Sequence, residues 1–246
     1  MLDSQPHYEQ ARVPAGRSFD RSMMSQIGLF SDLKASELAR IEQICRYRRF
    51  SADEHVVDRD STSTDVYFLV RGRVRIVNYS MSGREITFDE LEAGSYFGEI
   101  SALDGRPRSA NYVAVEDSLI LSLSRTVFLE LLANNPQLAL KVMCRLAANL
   151  RGANERIMDL STLAAQNRVQ AEILRQAHME GSRPNSAVIE PIPVHSDIAS
   201  RVSTTRETVA RVMNDLARKG VLERRKRTLV IHDIRKLRQM VEHVRG

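Results

Sequence analysis

The strongest local pattern in this chain is residues 97–110, which read Phe-Gly-Glu-Ile-Ser-Ala-Leu-Asp-Gly-Arg-Pro-Arg-Ser-Ala. Gly98 permits a close approach of the backbone to a ligand. Residues 99–103 are predicted to form one helical turn whose free N–H groups face an anion. The planar fork of Arg108 suits phosphate oxygens, and the Ser109 hydroxyl adds a donor. Glu99 would repel a phosphate but can accept from a sugar hydroxyl, so the segment predicts a pocket for a phosphorylated sugar.

Each charged residue also has a simpler interpretation, because a Glu in a first helical turn often only favours the helix dipole. The ordered set is more specific. It resembles the phosphate-binding cassette of the cyclic-nucleotide-binding family, whose pattern is Phe-Gly-Glu-(Leu/Ile)-x-Ala-Leu followed by Pro-Arg-(Ser/Ala/Thr)-Ala. The resemblance implies that Glu99 holds the ribose 2′-hydroxyl and that Arg108 neutralises the cyclic phosphate. The expected binding residues of the cassette are Gly98, Glu99, Ile100, Ser101, Arg108, Ser109 and Ala110.

Short apolar runs separated by glycine-bearing breaks surround the cassette. The predicted strands are residues 66–70, 74–77, 85–88, 112–115 and 119–123. Gly72 lies between the first two runs and predicts a tight hairpin. A helix over residues 34–46 precedes them. Many short strands at even spacing indicate a small antiparallel β-roll of the jelly-roll kind, which agrees with the resemblance.

From Pro136 onward the apolar period becomes helical. The seam residues, spaced alternately by four and three, are Ala139, Met143, Leu146, Leu150, Ala153, Ile157, Leu160 and Ala164. This heptad pattern predicts a coiled coil, and a symmetric homodimer through residues 139–164 would cover it. The alternative is a single helix packed on its own β domain.

Two residues of this helix concern the base of a nucleotide. In the bacterial cyclic AMP receptor proteins this part of the helix offers a Thr-Ser pair to adenine, and alignment without gaps places Ala153 and Asn154 there. The base contact therefore departs from the family pattern. Asn154 carries both a donor and an acceptor, so it would tolerate either cAMP or cGMP. Cyclic AMP is the favoured effector because the recognition helix described below resembles that of the cyclic AMP receptor proteins, and cGMP is possible. The alternative is that Asn154 only flanks the coiled coil.

The C-terminal region has the pattern of a winged helix-turn-helix. Residues 194–202 and 205–213 form two short apolar-periodic segments joined at Ser203-Thr204. Ser203, Thr204 or Thr205 can cap the second helix, and Gly220 ends it. The basic run 224–227 then forms the tip of a wing-like hairpin, and a last helix covers residues 234–244.

Three charged residues at the start of the second helix, Arg206, Glu207 and Arg211, lie within an arc of roughly 140°. Arg reads guanine and Glu accepts from cytosine N4 in the major groove. The string Thr-Arg-Glu-Thr-Val-x-Arg resembles the recognition helix of the cyclic AMP receptor proteins, which read TGTGA-type half-sites. Further expected DNA-binding residues are Ser196, Thr204, Thr205, Arg225 and Arg227. The alternative for any one of them is a solvated helix face.

Charge and composition agree with a polyanion partner at the C-terminal end. The net charge is +5, but residues 201–246 alone carry +8, so the preceding 200 residues carry −3. Cys45 and Cys144 have no metal-site spacing, so no metal is expected and both are predicted to be reduced. No apolar run approaches the ~20 residues that cross a bilayer. The sequence predicts a cytoplasmic protein with no membrane partner.

Together these motifs resemble the Crp/Fnr superfamily over residues 21–246. The expected fold class is α+β, with a flexible tail at 1–21, a β-roll at 22–135, a dimerisation helix at 136–166 and a winged helix-turn-helix at 167–246. The resemblance implies a cyclic-nucleotide-gated regulator, not an enzyme, that binds palindromic double-stranded DNA and RNA polymerase. The alternatives are a cGMP-responsive or constitutive regulator, a redox or haem sensor of the same superfamily, and a regulatory subunit that inhibits an enzyme.

Overall fold

The computed structural model describes residues 23–83, 85–179 and 185–245 of the 246-residue chain. With those gaps, it divides into two compact units. The first contains residues 23–78 and 88–146, and the second contains residues 79–87 and 147 onward. The expected α+β class is confirmed. The tail expected at residues 1–21 lies outside the described part of the chain.

Two antiparallel sheets and the helices around them make up the first part of the chain. Two 3-10 helices, Met23–Gln26 and Gly28–Phe30, and α1 (Ala35–Ile44) come first. The strands are β1 (Arg46–Phe50), β2 (His55–Val57), β3 (Val66–Arg71), β4 (Arg73–Tyr79), β5 (Glu85–Glu92), β6 (Tyr96–Phe97), β7 (Asn111–Ala114) and β8 (Ser118–Leu123). The helices that interrupt or follow them are α2 (Glu99–Asp104), α3 (Arg125–Asn134) and α4 (Pro136–Thr162). The strand orders are β1-β8-β3-β6 and β2-β7-β4-β5.

Strand β3 lies at the centre of the packing because it is apolar on both faces. Val66 and Phe68 pack with the helices, whereas Leu69 packs between the two sheets. Such continuous apolar runs are typical of strands covered on both sides. The cassette follows β6, which pairs with β3, so the predicted ligand-binding segment is attached to the best-buried strand of the roll.

The tight hairpin predicted around Gly72 is wrong. Strand β3 pairs with β8 and β6 in one sheet, whereas β4 pairs with β7 in the other. Gly72, with φ +96°, is the corner where the chain passes between sheets. A Cβ there would lie 2.2 Å from the Ser118 hydroxyl oxygen. Gly72 therefore permits close packing against β8 and does not serve as a hairpin turn.

Two helices are shorter than predicted. Helix α1 ends at Ile44, because Arg46 already pairs with Ser122 in the sheet. Helix α4 ends at Thr162, so Ala164 is not part of it and instead precedes the next helix. The chain leaves the α4 axis where Leu163 is buried in a small cluster with Ala171 and Val241. The apolar seam therefore ends at Leu160.

After α4, the second unit forms, in its described residues, a four-stranded sheet and the helices around it. Its elements are α5 (Ala165–Gln176), β9 (His178–Met179), β10 (Ala187–Ile189), α6 (His195–Arg201), α7 (Arg206–Arg218), β11 (Leu222–Arg225), β12 (Thr228–Ile231) and α8 (Ile234–Arg245), with strand order β11-β12-β10-β9. Val209, Val212 and Leu216 bury one face of α7 in its core. The predicted helix-turn-helix, wing and last helix are present.

Candidate functional site

Arg108 is the largest side chain that is fully enclosed, with an exposed fraction of 2 %. Its Nη1 donates to the Gly98 carbonyl at 2.9 Å, and its Nη2 donates to the Asp65 carbonyl at 2.6 Å and to the Ser63 hydroxyl at 3.0 Å. The buried Nε has no hydrogen-bond partner. Within the described residues, no carboxylate lies within 4.0 Å of this guanidinium. A buried cation that has no described carboxylate in direct contact and has an unused donor fits an anionic ligand.

Glu99 begins α2 beside this cation and is itself buried, with an exposed fraction of 5 %. Burial is the main influence on its carboxyl group and raises the pKa. Arg145 and, more weakly, Arg108 act in the opposite direction by charge attraction. The backbone N–H of Glu99 itself also donates to the carboxylate and lowers the pKa. Among the described residues no side chain does so, which leaves the carboxylate suited to accept a hydrogen bond from a ligand hydroxyl.

Gly98 fixes the backbone between these two residues. Its φ is +84°, in the left-handed region, and a Cβ at this position would lie 2.6 Å from Nη1 of Arg108 and 2.9 Å from the Asp65 carbonyl oxygen. Only glycine fits this backbone conformation without strain and leaves room for the guanidinium. The close approach that Gly98 was predicted to permit therefore occurs first with the Arg108 side chain.

The other cassette residues divide into buried and exposed groups. Ser101 and Ala110 are buried, whereas Ile100 and Ser109 are exposed. The Ser109 carbonyl accepts from the Asn78 side-chain amide at 3.2 Å, which anchors the backbone of this segment. Ala153 and Asn154 lie exposed on α4, in the second compact unit. Their expected role at the base stays a prediction.

Sequence reasoning missed the residues that hold Arg108 and Glu99 from outside the cassette. Ser63 and Asp65 precede β3 and contribute a hydroxyl and a backbone carbonyl. A backbone carbonyl that accepts a hydrogen bond cannot be recognised from the sequence, since every residue type has one. Arg145 lies on α4, where the sequence pattern showed only a helix surface.

Helix α7 presents the predicted DNA-reading residues on its open face. The Thr205 hydroxyl oxygen accepts from the Thr208 backbone N–H at 3.3 Å and caps the helix. Arg206, Glu207 and Arg211 are exposed. The pKa of Glu207 is lowered mainly by its own backbone N–H and by the Thr205 hydroxyl, so this side chain is an anionic acceptor.

The neighbouring positions in the helix-turn-helix differ in accessibility. Ser196 is half-buried and donates to Asp197 at 3.2 Å. The Thr204 backbone N–H donates to the Ala199 carbonyl at 3.0 Å and closes the turn. Ser203 adopts a positive φ of 51° in this turn. Thr204 therefore has a structural role in the turn in addition to its predicted contact with DNA.

Two arginines of the wing, Arg225 and Arg227, differ in their ion pairs. Arg225 lies 2.7 Å from Glu223, which also contacts His232 at 2.7 Å. These two contacts lower the pKa of Glu223 to about 2, and the contact with Arg225 has the larger effect. Arg227 is exposed and, within the described chain, has no carboxylate within 4.0 Å. Arg227 is therefore the more available of the two for a phosphate.

Arg168 joins the end of the long helix to the helix-turn-helix. It donates to the Leu163 carbonyl at 2.9 Å, between α4 and α5. It also donates to the carbonyls of Val202 at 2.8 Å and Ser203 at 3.1 Å, in the turn before α7. One side chain thus links the α4–α5 junction with the segment that positions the exposed face of α7.

Buried charges reinforce this junction. Arg175 bridges the buried carboxylates of Asp159, at 2.7 Å, and Glu172. Arg201 on α6 lies 3.7 Å from Glu172. The network therefore joins α4, α5 and α6, and removing one partner would leave a buried charge uncompensated.

Most of the seam on α4 lies open in the single chain. Leu146 packs partly against the core of the roll, but Met143, Leu150, Ile157 and Leu160 are exposed, Leu150 by 63 %. An exposed apolar row of this length on one helix marks an interaction surface.

Comparison with known proteins agrees with this geometry. Residues 47–135 match the model of the family "Cyclic nucleotide-binding domain", and residues 167–240 match "Crp-like helix-turn-helix domain". The chain is 32 % identical over 79 % of its length, and 87 % of the relative, to a cyclic AMP receptor protein of Thermus thermophilus. It is 23 % identical over 87 % of its length, and 96 % of the relative, to a CRP-like cAMP-activated global transcriptional regulator of Mycobacterium tuberculosis.

Among solved structures, the fold is similar to that of a CooA mutant from Carboxydothermus hydrogenoformans, with a TM-score of 0.74 and 23 % identity over 92 % of this chain and 98 % of that one. Among the helices described, none combines the length and apolar character needed to cross a membrane.

Proposed function

This chain belongs to the Crp/Fnr family of cyclic-nucleotide-binding, DNA-binding transcriptional regulators, and on that premise we propose that cAMP controls its binding to TGTGA-type palindromes as a homodimer. The observation that carries the proposal is the enclosed guanidinium of Arg108, which has no carboxylate partner among the described residues. The cyclic phosphate supplies the missing charge, and Glu99 accepts from the ribose 2′-hydroxyl. Both groups lie in one segment, within reach of a single nucleotide.

Cyclic AMP is preferred over cGMP because the names of the Thermus and Mycobacterium relatives specify cyclic AMP. The recognition-helix string also resembles that of the cyclic AMP receptor proteins. Asn154 is the residue proposed to face the base, with Ala153 beside it. Its amide accepts from the adenine amino group and equally donates to the guanine oxygen. Cyclic GMP is therefore the competing effector in any titration.

The exposed seam from Met143 to Leu160 is proposed as the homodimer interface. In the active dimer the two α7 helices would lie about 34 Å apart, one turn of DNA, and bind a palindrome. Arg206, Glu207 and Arg211 would contact base edges, and Arg227 the backbone. RNA polymerase is the proposed protein partner at the promoter.

The effector would act by shifting an equilibrium between inactive and active dimers. Changing that equilibrium from 1:99 to 99:1 needs about 5.5 kcal/mol of differential binding, which two sites per dimer can share. For this shift, the active and inactive dimers must hold the same nucleotide with different affinities.

The test uses the full chain in two titrations. Calorimetry measures cAMP and cGMP binding, and fluorescence anisotropy measures binding to a TGTGA palindrome with and without nucleotide. Arg108→Leu should abolish the response to nucleotide while the dimer persists in ultracentrifugation. The matched control is Arg106→Leu, which removes an exposed arginine of the same loop and should respond as the wild type does.

The outcomes separate the proposal from its rivals. Tight operator binding that is independent of both nucleotides would establish a constitutive regulator and refute the gating. A response to cGMP alone would identify cGMP as the effector and leave the gating mechanism unchanged. A normal response in Arg108→Leu would refute the phosphate role of this residue.

A further inference from the structure

Arg145 is a cation of the long helix that lies beside the cassette. Its guanidinium carbon is 4.0 Å from the centroid of the Tyr96 ring, a distance at which a cation is attracted to an aromatic face. Tyr96 is buried in β6 and lies three positions before Glu99. The ring therefore holds the Arg145 guanidinium next to the segment that begins α2.

The charge balance around Glu99 explains what this placement does. The titratable groups that face its carboxyl are Arg145 from α4, Arg108 from the loop after α2, Tyr96 from β6 and Tyr112 from β7. Burial raises the pKa of Glu99, and Arg145 is the strongest influence that lowers it, ahead of Arg108. No cationic group of the described residues lies within 4.0 Å of this carboxylate, so it depends on charges at longer range.

A bound effector would change this balance. Once the cyclic phosphate neutralises Arg108, that residue no longer favours the ionised form of Glu99. Of the two described arginines that act on this carboxylate, Arg145 is then the one that still carries an uncompensated charge. Its influence matters most in the complex, where Glu99 is needed as an acceptor.

We propose that Arg145 is a positioning residue of the effector site, which keeps Glu99 as the carboxylate that selects ribose over 2′-deoxyribose. The inference rests on the proposed function, since it deepens the role of the same site. A hydrogen bond to an ionised acceptor is roughly twice as strong as one to a neutral group. Loss of the Arg145 charge should therefore weaken recognition of the 2′-hydroxyl and spare the phosphate contact.

The experiment compares two ligands and two pH values by calorimetry on the full chain. The ligands are cAMP and 2′-deoxy-cAMP, and the variants are Arg145→Gln, Arg145→Lys and Arg151→Gln. Arg151 is an exposed arginine of the same helix and serves as the matched control. We expect Arg145→Gln to weaken cAMP binding by about tenfold and 2′-deoxy-cAMP binding by about twofold or less, in line with one charge-assisted hydrogen bond.

The pH dependence distinguishes charge from packing. The loss in Arg145→Gln should grow between about pH 7.5 and pH 5.5, because its Glu99 protonates at a higher pH than in the wild type. Arg145→Lys should restore most of the ribose selectivity, although lysine stacks differently on Tyr96. Arg151→Gln should leave both affinities unchanged.

Three results would overturn the inference. Equal weakening of both ligands in Arg145→Gln, at both pH values, would reduce Arg145 to a packing partner of Tyr96. Unchanged affinity of Arg145→Gln for both ligands, with normal wild-type binding, would remove its role and leave the proposed function intact. A wild type that binds neither nucleotide would refute the proposed function and this inference together.

Discussion

The Nη1 atom of Arg108 donates to the carbonyl oxygen of Gly98 at 2.9 Å, and the same nitrogen occupies the space that a Cβ on Gly98 would need. The two residues therefore depend on each other. The glycine leaves room for the guanidinium to be buried, and the guanidinium donates a hydrogen bond to the carbonyl of the glycine. These contacts within the chain hold the cassette in place, which reduces the ordering cost of binding a ligand.

This relationship predicts the effect of Gly98→Ala. The added Cβ would lie 2.6 Å from Arg108 Nη1 and 2.9 Å from the Asp65 carbonyl oxygen, at a φ of +84°. We expect the free energy of unfolding in urea to fall by about 1–3 kcal/mol and cAMP affinity to fall at least tenfold. Gly28→Ala is the control, because its Cβ would have its nearest neighbour at 3.9 Å. Equal effects of the two substitutions would contradict the fit between Gly98 and Arg108.

The raised pKa of Glu99 predicts two pH effects of opposite sign. Burial raises the pKa of this carboxyl above its ordinary value of 4.5 in the folded chain, so the folded state binds the proton more tightly than the unfolded state. The Glu99 contribution to stability is therefore most favourable below pH 4.5 and is lost as the pH rises through the folded pKa. Effector binding needs the carboxylate, so affinity should instead fall as the pH drops through the same range.

Urea unfolding and nucleotide titration over about pH 4.5–7.5 measure both effects, with Glu99→Gln as the comparison. Burial also raises the pKa of Asp65, so only the difference between wild type and Glu99→Gln isolates Glu99. Affinity that is independent of pH in the wild type would show that the ionised carboxylate is not the acceptor.

The recognition helix predicts base-specific losses. Arg206→Ala should cost roughly 1–3 kcal/mol of operator binding and relax the preference at one base pair. Arg218→Ala, an exposed substitution at the other end of α7, is the control. Anisotropy titrations on operators substituted one pair at a time measure the preference. A similar loss on random DNA would identify Arg206 as a phosphate contact only.

The wing predicts unequal effects of two arginines. Arg227→Ala should weaken binding to all sequences alike and reduce the salt slope of the binding constant by about 1. Arg225→Ala should reduce it less, because Arg225 already contacts Glu223 at 2.7 Å. Glu223→Gln should then increase the contribution of Arg225. A sequence-selective loss in Arg227→Ala would contradict the phosphate role.

Local patterns were sufficient for the family, for several of the helices and strands, and for the order of the motifs. The cassette, the long amphipathic helix and the helix-turn-helix each depend on residues close together in the chain, so residue type and spacing predicted them. The α+β class and the Crp/Fnr resemblance are confirmed. The roles of Asn154 and of the individual DNA-reading side chains stay predictions.

The tertiary structure decided which residues distant in the sequence contact one another. Gly72 is a corner between sheets and not a hairpin turn, because β3 and β4 each find their neighbours far away in the sequence. The Asp65 carbonyl that holds Arg108, the Tyr96 ring beneath Arg145 and the Arg168 link to Val202 follow from the same long-range packing. Periodicity and residue type predict the secondary structure of a segment and which of its side chains are apolar or charged. Which distant group each side chain contacts depends on burial and hydrogen bonding across the folded chain, and these are determined only when the strands and helices pack.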